Sequence, residues 1–180
     1  MGSIHLHEKK FNLYIKEKEI LERVNQLAQA ISKDYRGKNL ILIGIMNGAV
    51  IFLSDLCRKI ELPLSIASMK ASSYQGMKSS GTVQIESLLN LDLKDKHLLL
   101  VEDIVDTGKT LFELKDYLFK AKPASIGIAT LLFKPQAFEY NYHLNYVGFE
   151  IPNKFVVGYG LDFDELGRNL PDIYQLDTTY

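Results

Sequence analysis

Leu98-Leu99-Leu100-Val101-Glu102-Asp103-Ile104-Val105-Asp106-Thr107-Gly108-Lys109-Thr110 is the stretch on which the reading of the fold turns. Four apolar residues without polar alternation describe a strand buried on both faces, the habit of parallel sheets. Acidic residues and a Thr-Gly-Lys-Thr turn follow. Leu111, Leu114 and Leu118 then recur at helical spacing until Pro123 ends the pattern. Buried strand, tight polar turn and amphipathic helix make half of a βαβ unit.

The same grammar runs outward in both directions. From about Lys16 to Asp34, Ile20, Leu21, Val24, Leu27, Ala28 and Ile31 mark a helix stopped by Gly37. Leu40 to Met46 is a second buried strand, Asn47-Gly48 a turn, and Val50, Leu53, Leu56, Cys57 and Ile60 a second helix face closed near Pro63. Leu64 to Lys70 and Val83 to Ser87 read as strands flanking the polar stretch Ala71 to Thr82, a long mobile loop. Ile126 to Phe133 is a further buried strand, Tyr146 to Phe149 and Phe155 to Val157 are short ones, and the last twenty residues read as irregular. Strands alternating with helices predict an α/β fold, an open, mostly parallel sheet flanked by helices. In such sheets ligands bind beyond the carboxyl ends of the strands, here after Met46, Val101, Phe133 and Val157.

Composition narrows the partners. The 180 residues, 47% hydrophobic and 24% charged, suit one domain. A net charge of −1 argues against a basic nucleic-acid footprint. No apolar run approaches the roughly 20 residues of a membrane helix, and the first residues carry neither a signal-peptide core nor a myristoylation signal, since Leu6 stands where Ser or Thr is needed. Cys57 is the one cysteine, which suits a reducing compartment, and a cytoplasmic protein is expected. His5, His7, His97 and His143 lack ligand spacing and read as structural or solvated.

The turn after Val101 carries the chemistry. Backbone N–H groups and hydroxyls of Thr107 to Thr110, at the positive end of a helix, suit a phosphate monoester. Glu102 and Asp103 could hold sugar hydroxyls or a divalent cation, or the acidic residues could simply cap the following helix. Gly108-Lys109-Thr110 matches the tail of a P-loop, but that motif needs glycine where Asp103 stands.

Val101 to Thr110 resembles the 5-phosphoribosyl 1-pyrophosphate motif of type I phosphoribosyltransferases. From about Ile20 to Asp172 the chain is similar to the hypoxanthine-guanine branch, with further landmarks at Ser73-Tyr74, Lys134 and Gly148 to Asp162. The resemblance implies transfer of the 5-phosphoribosyl group to a purine, giving IMP or GMP and pyrophosphate with Mg²⁺. It implies that Glu102 and Asp103 hold the ribose hydroxyls and that Asp106 is the general base at N7. Thr107, Gly108, Lys109 and Thr110, with Asp106 in the same loop, would bind the 5-phosphate. Lys134 would donate to O6, with Phe155 stacking on the base and Val156 and Asp162 at its edge. Asn47, Gly48 and Arg168 would serve pyrophosphate, and Glu102, Asp103 and Asp162 the metal. Ser73 and Tyr74 would belong to a lid. Members often have Lys-Gly with a cis peptide where this chain has Asn47-Gly48, so no lysine side chain acts there. A core of about 38–146 and a hood of about 1–37 and 147–180 are expected, as is a homodimer or homotetramer.

Two other readings stand beside this one. Some proteins of this fold are regulators that bind nucleic acid and sense the sugar pyrophosphate or a nucleotide, but they show a basic face or an added winged helix and often lack the catalytic carboxylate. A transferase for xanthine-guanine or a pyrimidine is the other; Lys134 with Phe155-Val156-Val157 favours a 6-oxopurine and leaves xanthine open.

Overall fold

The computed structural model describes residues 2–73, 83–87 and 91–178. In chain order these form β1 (Ser3–Leu6), β2 (Lys9–Ile15), α1 (Glu17–Asp34), β3 (Leu40–Met46), α2 (Val50–Lys59), β4 (Leu64–Ser73) and β5 (Val83–Ser87). Then come β6 (His97–Val105), α3 (Lys109–Phe119), β7 (Ser125–Phe133), β8 (Tyr146–Glu150), β9 (Val156–Val157) and β10 (Ile173–Leu176). The main sheet has the order β5-β4-β3-β6-β7-β8. Every pairing from β4 to β8 is parallel, and β5 joins the edge antiparallel to β4. The open, mostly parallel sheet expected from the alternation of elements is what forms.

Apolar runs without alternation are needed because both faces are covered. On one face Val24, Leu27 and Ile31 of α1 and Phe52 and Leu56 of α2 pack on Leu42, Leu99 and Val101. On the other, Leu111, Leu114 and Leu118 of α3 pack on Ile41, Ile43, Leu98, Leu100 and Ile128. Each such side chain contributes roughly 1.5–3 kcal/mol by leaving water. The alternation of β6 also decides where its acidic residues go: Glu102 continues the α3 face of Leu98 and Leu100, and Asp103 the α2 face of Leu99 and Val101.

A second, four-stranded antiparallel sheet has the order β1-β2-β10-β9. Of its strands only β9, within the expected strand Phe155 to Val157, follows from the sequence; the N-terminal residues carry no strand expectation and β10 lies in the segment read as irregular. β9 and β10 span two and four residues, too few for a period to register. One side of this sheet encloses Phe11, Val157 and Tyr174, and the other joins the main core through Ile15, Val156, Tyr159, Leu161 and Ile173. The expected hood of about 1–37 includes α1. That helix lies on the main sheet, where Arg23 donates from Nε to Gly148 O and from Nη2 to Val147 O, both at 2.8 Å. β8 is likewise a strand of the main sheet, so the hood is built from β1, β2 and the chain beyond β8.

Candidate active site

β6 and β7 are parallel neighbours in register to their last residues, Val105 against Phe133. Whatever follows each strand is therefore set side by side. Lys134 Nζ lies 2.9 Å from Asp106 Oδ2. Lys134 is 8% exposed, whereas the Asp106 side chain is half exposed. A buried ammonium needs a partner, and Asp106 supplies it. The helix-capping alternative fails here: the N-cap of α3 is Gly108, and no side chain caps it.

Gly108 turns the chain with φ of +88°, which few residues other than glycine adopt. A cavity of about 100 Å³ opens beside it, lined by Glu102, Ile104, Asp106, Thr107, Gly108 and Thr110 among others. The N–H groups at the start of α3, of which that of Lys109 makes a long 3.4 Å bond to Thr107 Oγ1, and its positive dipole end suit an anion of phosphate size there. The Lys109 ammonium runs along the helix, 4.0 Å from Glu113, so the loop offers its main chain and hydroxyls.

At the end of β3 the chain turns through a cis peptide, at Met46–Asn47 and not at Asn47–Gly48. Gly48 has no room for a side chain, because a Cβ there would overlap the Asp103 carboxylate. A Cβ on Gly160 would in turn strike the Gly48 carbonyl. Arg168 Nη1 donates to Gly160 O at 2.9 Å, and its Nη2 pairs with Asp162 Oδ1 at 2.9 Å. Asn47-Gly48, Asp103, Gly160 and Arg168 thus form one contiguous patch. Asp162 is held by Arg168 and by the Glu165 N–H. It does not join Glu102 and Asp103 in a three-ligand group among the described residues.

Burial, and then the charge of Asp103, push the Glu102 carboxyl well above the usual carboxylate range. Asp103 is raised by burial too, opposed by the hydrogen bond it accepts from Glu102, by the Ile104 N–H at 2.8 Å and by the nearby Arg168 charge. Glu102 Oε2 is sealed from solvent and has no hydrogen-bond partner. An orphaned acidic oxygen beside a second carboxylate fits a hard divalent cation such as Mg²⁺, which takes one or two carboxylates and completes its shell with water and substrate oxygens.

This pair has a consequence for stability. A carboxyl raised on folding binds more protons in the native state than in the unfolded one above pH about 4.3, so its contribution falls by about 1.4 kcal/mol per pH unit from there to the native value. In metal-free buffer Glu102→Gln is expected to be more stable than the parent at pH 8 and to show a shallower decline in melting temperature between pH 5 and 8. Asp103 keeps that decline from vanishing. Equal slopes in the two proteins would contradict the account.

On the other side, Val156 is buried in β9 and Phe155 is 46% exposed. The Phe155 ring meets Phe163 edge-on at 5.7 Å and lies 6.3 Å from Phe11. Ser73 ends β4, and Tyr74 lies outside the described residues. His97 Nδ1 shares a hydrogen bond with Ser125 Oγ at 2.8 Å, and His7 packs edge-on against Phe163. Three neighbours of the site carry no expectation from sequence. Tyr159 Oη donates to Asp55 of α2 at 2.6 Å, Gly160 backs Gly48, and Tyr142 Oη donates to Gly108 O at 2.7 Å. Gly158-Tyr159-Gly160 lies within the landmark Gly148 to Asp162 and is a visible signal with no role of its own in the sequence; the partner of Tyr142 is a backbone carbonyl, which leaves no trace in sequence.

Residues 14–164 match the phosphoribosyl transferase domain family. The chain is 43% identical over 171 residues to the hypoxanthine-guanine phosphoribosyltransferase of Aquifex aeolicus, covering 94% of this chain and 96% of that protein. It is 45% identical over 156 residues to the Streptococcus pneumoniae enzyme of the same name, covering 86% and 87%. A crystal structure of a hypoxanthine phosphoribosyltransferase from Staphylococcus aureus superposes with a TM-score of 0.87 at 42% identity, covering 92% of this chain and 91% of that one. The strand-end site and these likenesses agree: the chain belongs to the phosphoribosyltransferase family, on its hypoxanthine-guanine branch.

Proposed function

We propose that the protein transfers the 5-phosphoribosyl group from 5-phosphoribosyl 1-pyrophosphate to N9 of hypoxanthine or guanine, giving IMP or GMP and pyrophosphate, and that it works with Mg²⁺. The observation that carries this reading is the Lys134–Asp106 pair at the joined ends of β6 and β7, with Asp106 itself lining the phosphate-sized cavity. A protonated lysine only donates, so it accepts an oxo group and rejects an exocyclic amine. Asp106, half exposed and paired with Lys134 through Oδ2, takes a proton from N7 as N9 attacks C1 of the sugar and the bond from C1 to pyrophosphate breaks. Thr107 to Thr110 hold the 5-phosphate. Glu102 and Asp103 accept from the ribose hydroxyls and face the positive charge that grows on the sugar.

Mg²⁺ would be held by Glu102 and Asp103 together with substrate oxygens, and it would neutralise the pyrophosphate as that group leaves. Arg168, whose guanidinium is tied to Gly160 and Asp162 beside the Gly48 turn, would bring positive charge to the same group. The single cysteine and balanced charge support a cytoplasmic setting.

The test is a mixture of protein, Mg²⁺ and 5-phosphoribosyl 1-pyrophosphate with hypoxanthine, guanine, xanthine or adenine, followed for nucleotide. Product is expected with the first two. Binding of the sugar pyrophosphate without product from any base would favour a regulator, and product from xanthine alone a xanthine enzyme. Lys134→Gln is expected to reduce the preference for hypoxanthine over adenine by about tenfold or more. Undiminished exclusion of adenine would show that Lys134 does not read the base.

A further inference from the structure

A phosphate cradle built from main chain has a geometric requirement of its own. Each peptide plane that aims an N–H at the anion aims its carbonyl the opposite way, and those carbonyls need partners on the far side. In this chain the partners come from residues 135–145, the irregular connection between β7 and β8. Glu139 N–H donates to Thr107 O at 3.1 Å, which orients the plane carrying the Gly108 N–H. Tyr142 Oη donates to Gly108 O at 2.7 Å, which orients the plane carrying the Lys109 N–H. Gly108 O also receives the Phe112 N–H at 3.1 Å, the first bond of α3, so this carbonyl is held along the helix and from the side.

The ring of Tyr142 is itself fixed. Phe138 meets it edge-on at 5.0 Å and Phe133 meets Phe138 at 5.3 Å. Lys115 Nζ lies 4.9 Å above its ring. A Cβ at Gly108 would collide with the Phe138 ring and the Tyr142 hydroxyl, so the aromatic pair is pressed directly against the back of the turn. Burial, and then the charge of Glu102, raise the phenol well beyond its ordinary range, which favours the protonated donor form.

We propose that Tyr142 is a positioning residue for the sugar-phosphate site: its hydroxyl sets the Gly108–Lys109 peptide plane, whose Lys109 N–H points to Thr107 Oγ1 at 3.4 Å on the cavity wall and would pass from that long bond to the phosphate. This rests on the assignment of the 5-phosphate to the 107–110 turn. Nothing in the proposal gives Tyr142 contact with substrate.

Tyr142→Phe removes the hydroxyl and keeps the ring. Titration calorimetry with ribose 5-phosphate is expected to show a loss of about three- to tenfold in affinity. Affinity for inorganic pyrophosphate and the melting temperature should stay unchanged. In turnover, KM for 5-phosphoribosyl 1-pyrophosphate rises while kcat holds. Phe112→Ala removes the Phe112–Tyr140 stack (4.8 Å) on the same connection without touching the hydroxyl, and it should leave ribose 5-phosphate binding intact. Unchanged ribose 5-phosphate affinity in a folded Tyr142→Phe protein would overturn the proposal. So would equal weakening towards ribose 5-phosphate and pyrophosphate together with a lowered melting temperature. If the parent protein itself binds no ribose 5-phosphate, the assignment of the turn fails, and the positioning role falls with it.

Discussion

Asp106→Asn is expected to cut kcat by about 100- to 1,000-fold, the range general acid–base catalysis supplies, while 5-phosphoribosyl 1-pyrophosphate still binds. The amide is isosteric and keeps an oxygen that can accept from Lys134, so the pair at the ends of β6 and β7 persists as a hydrogen bond. The buried Lys134 ammonium keeps only a neutral partner, so the variant also loses some folding stability, which its melting temperature reads. What disappears is the ability to take the N7 proton when the bond from N9 to the sugar forms. Because the loss lies in the chemical step, KM for both substrates should move far less than kcat. Steady-state rates with a pH profile are the measurement. A variant that turns over at the parent's rate, or one whose loss lies wholly in KM, would remove Asp106 from the role of base.

Gly48→Ala is expected to lower kcat/KM for 5-phosphoribosyl 1-pyrophosphate by about 100-fold and to destabilise the fold by about 1–3 kcal/mol, the usual cost of overpacking. The new methyl would overlap the carboxylate of Asp103, a side chain only 8% exposed and held by the Ile104 N–H. Retreat of the turn is blocked from the other side by Gly160, which stands against the Gly48 carbonyl and is tied to Arg168. Under the proposed assignment, either Asp103 would swing from the ribose or the turn would leave the pyrophosphate. Pyrophosphate calorimetry and thermal unfolding read the two effects separately. Binding and stability both unchanged would mean that the packing between the turn and Asp103 is not what holds the site.

The main sheet was legible because its strands are buried on both faces: Leu40 to Met46 and Leu98 to Val101 have no polar alternation to confuse the period, and α1 to α3 carry clean apolar stripes. Site residues at strand ends followed from that framework, since parallel register brings Asp106 and Lys134 together once β6 and β7 are known neighbours. The hood was less legible. β1, β9 and β10 span four, two and four residues, too few for a period, whereas β2 carries Phe11, Leu13 and Ile15 at strand spacing, a signal visible in the sequence. α1 was drawn into the hood because sequence order says nothing of which layer an N-terminal helix joins. Tyr142 and Gly160 act through backbone carbonyls, and contacts of that kind depend on the path of two loops that no local pattern describes.

The most direct test of the account is phosphorus NMR of 5-phosphoribosyl 1-pyrophosphate incubated with the protein, Mg²⁺ and hypoxanthine. The account predicts that the substrate signals are replaced by one equivalent of pyrophosphate and one of a nucleoside 5-monophosphate, at a rate that Asp106→Asn suppresses. Substrate left intact, or pyrophosphate released with ribose 5-phosphate instead of nucleotide, would contradict it.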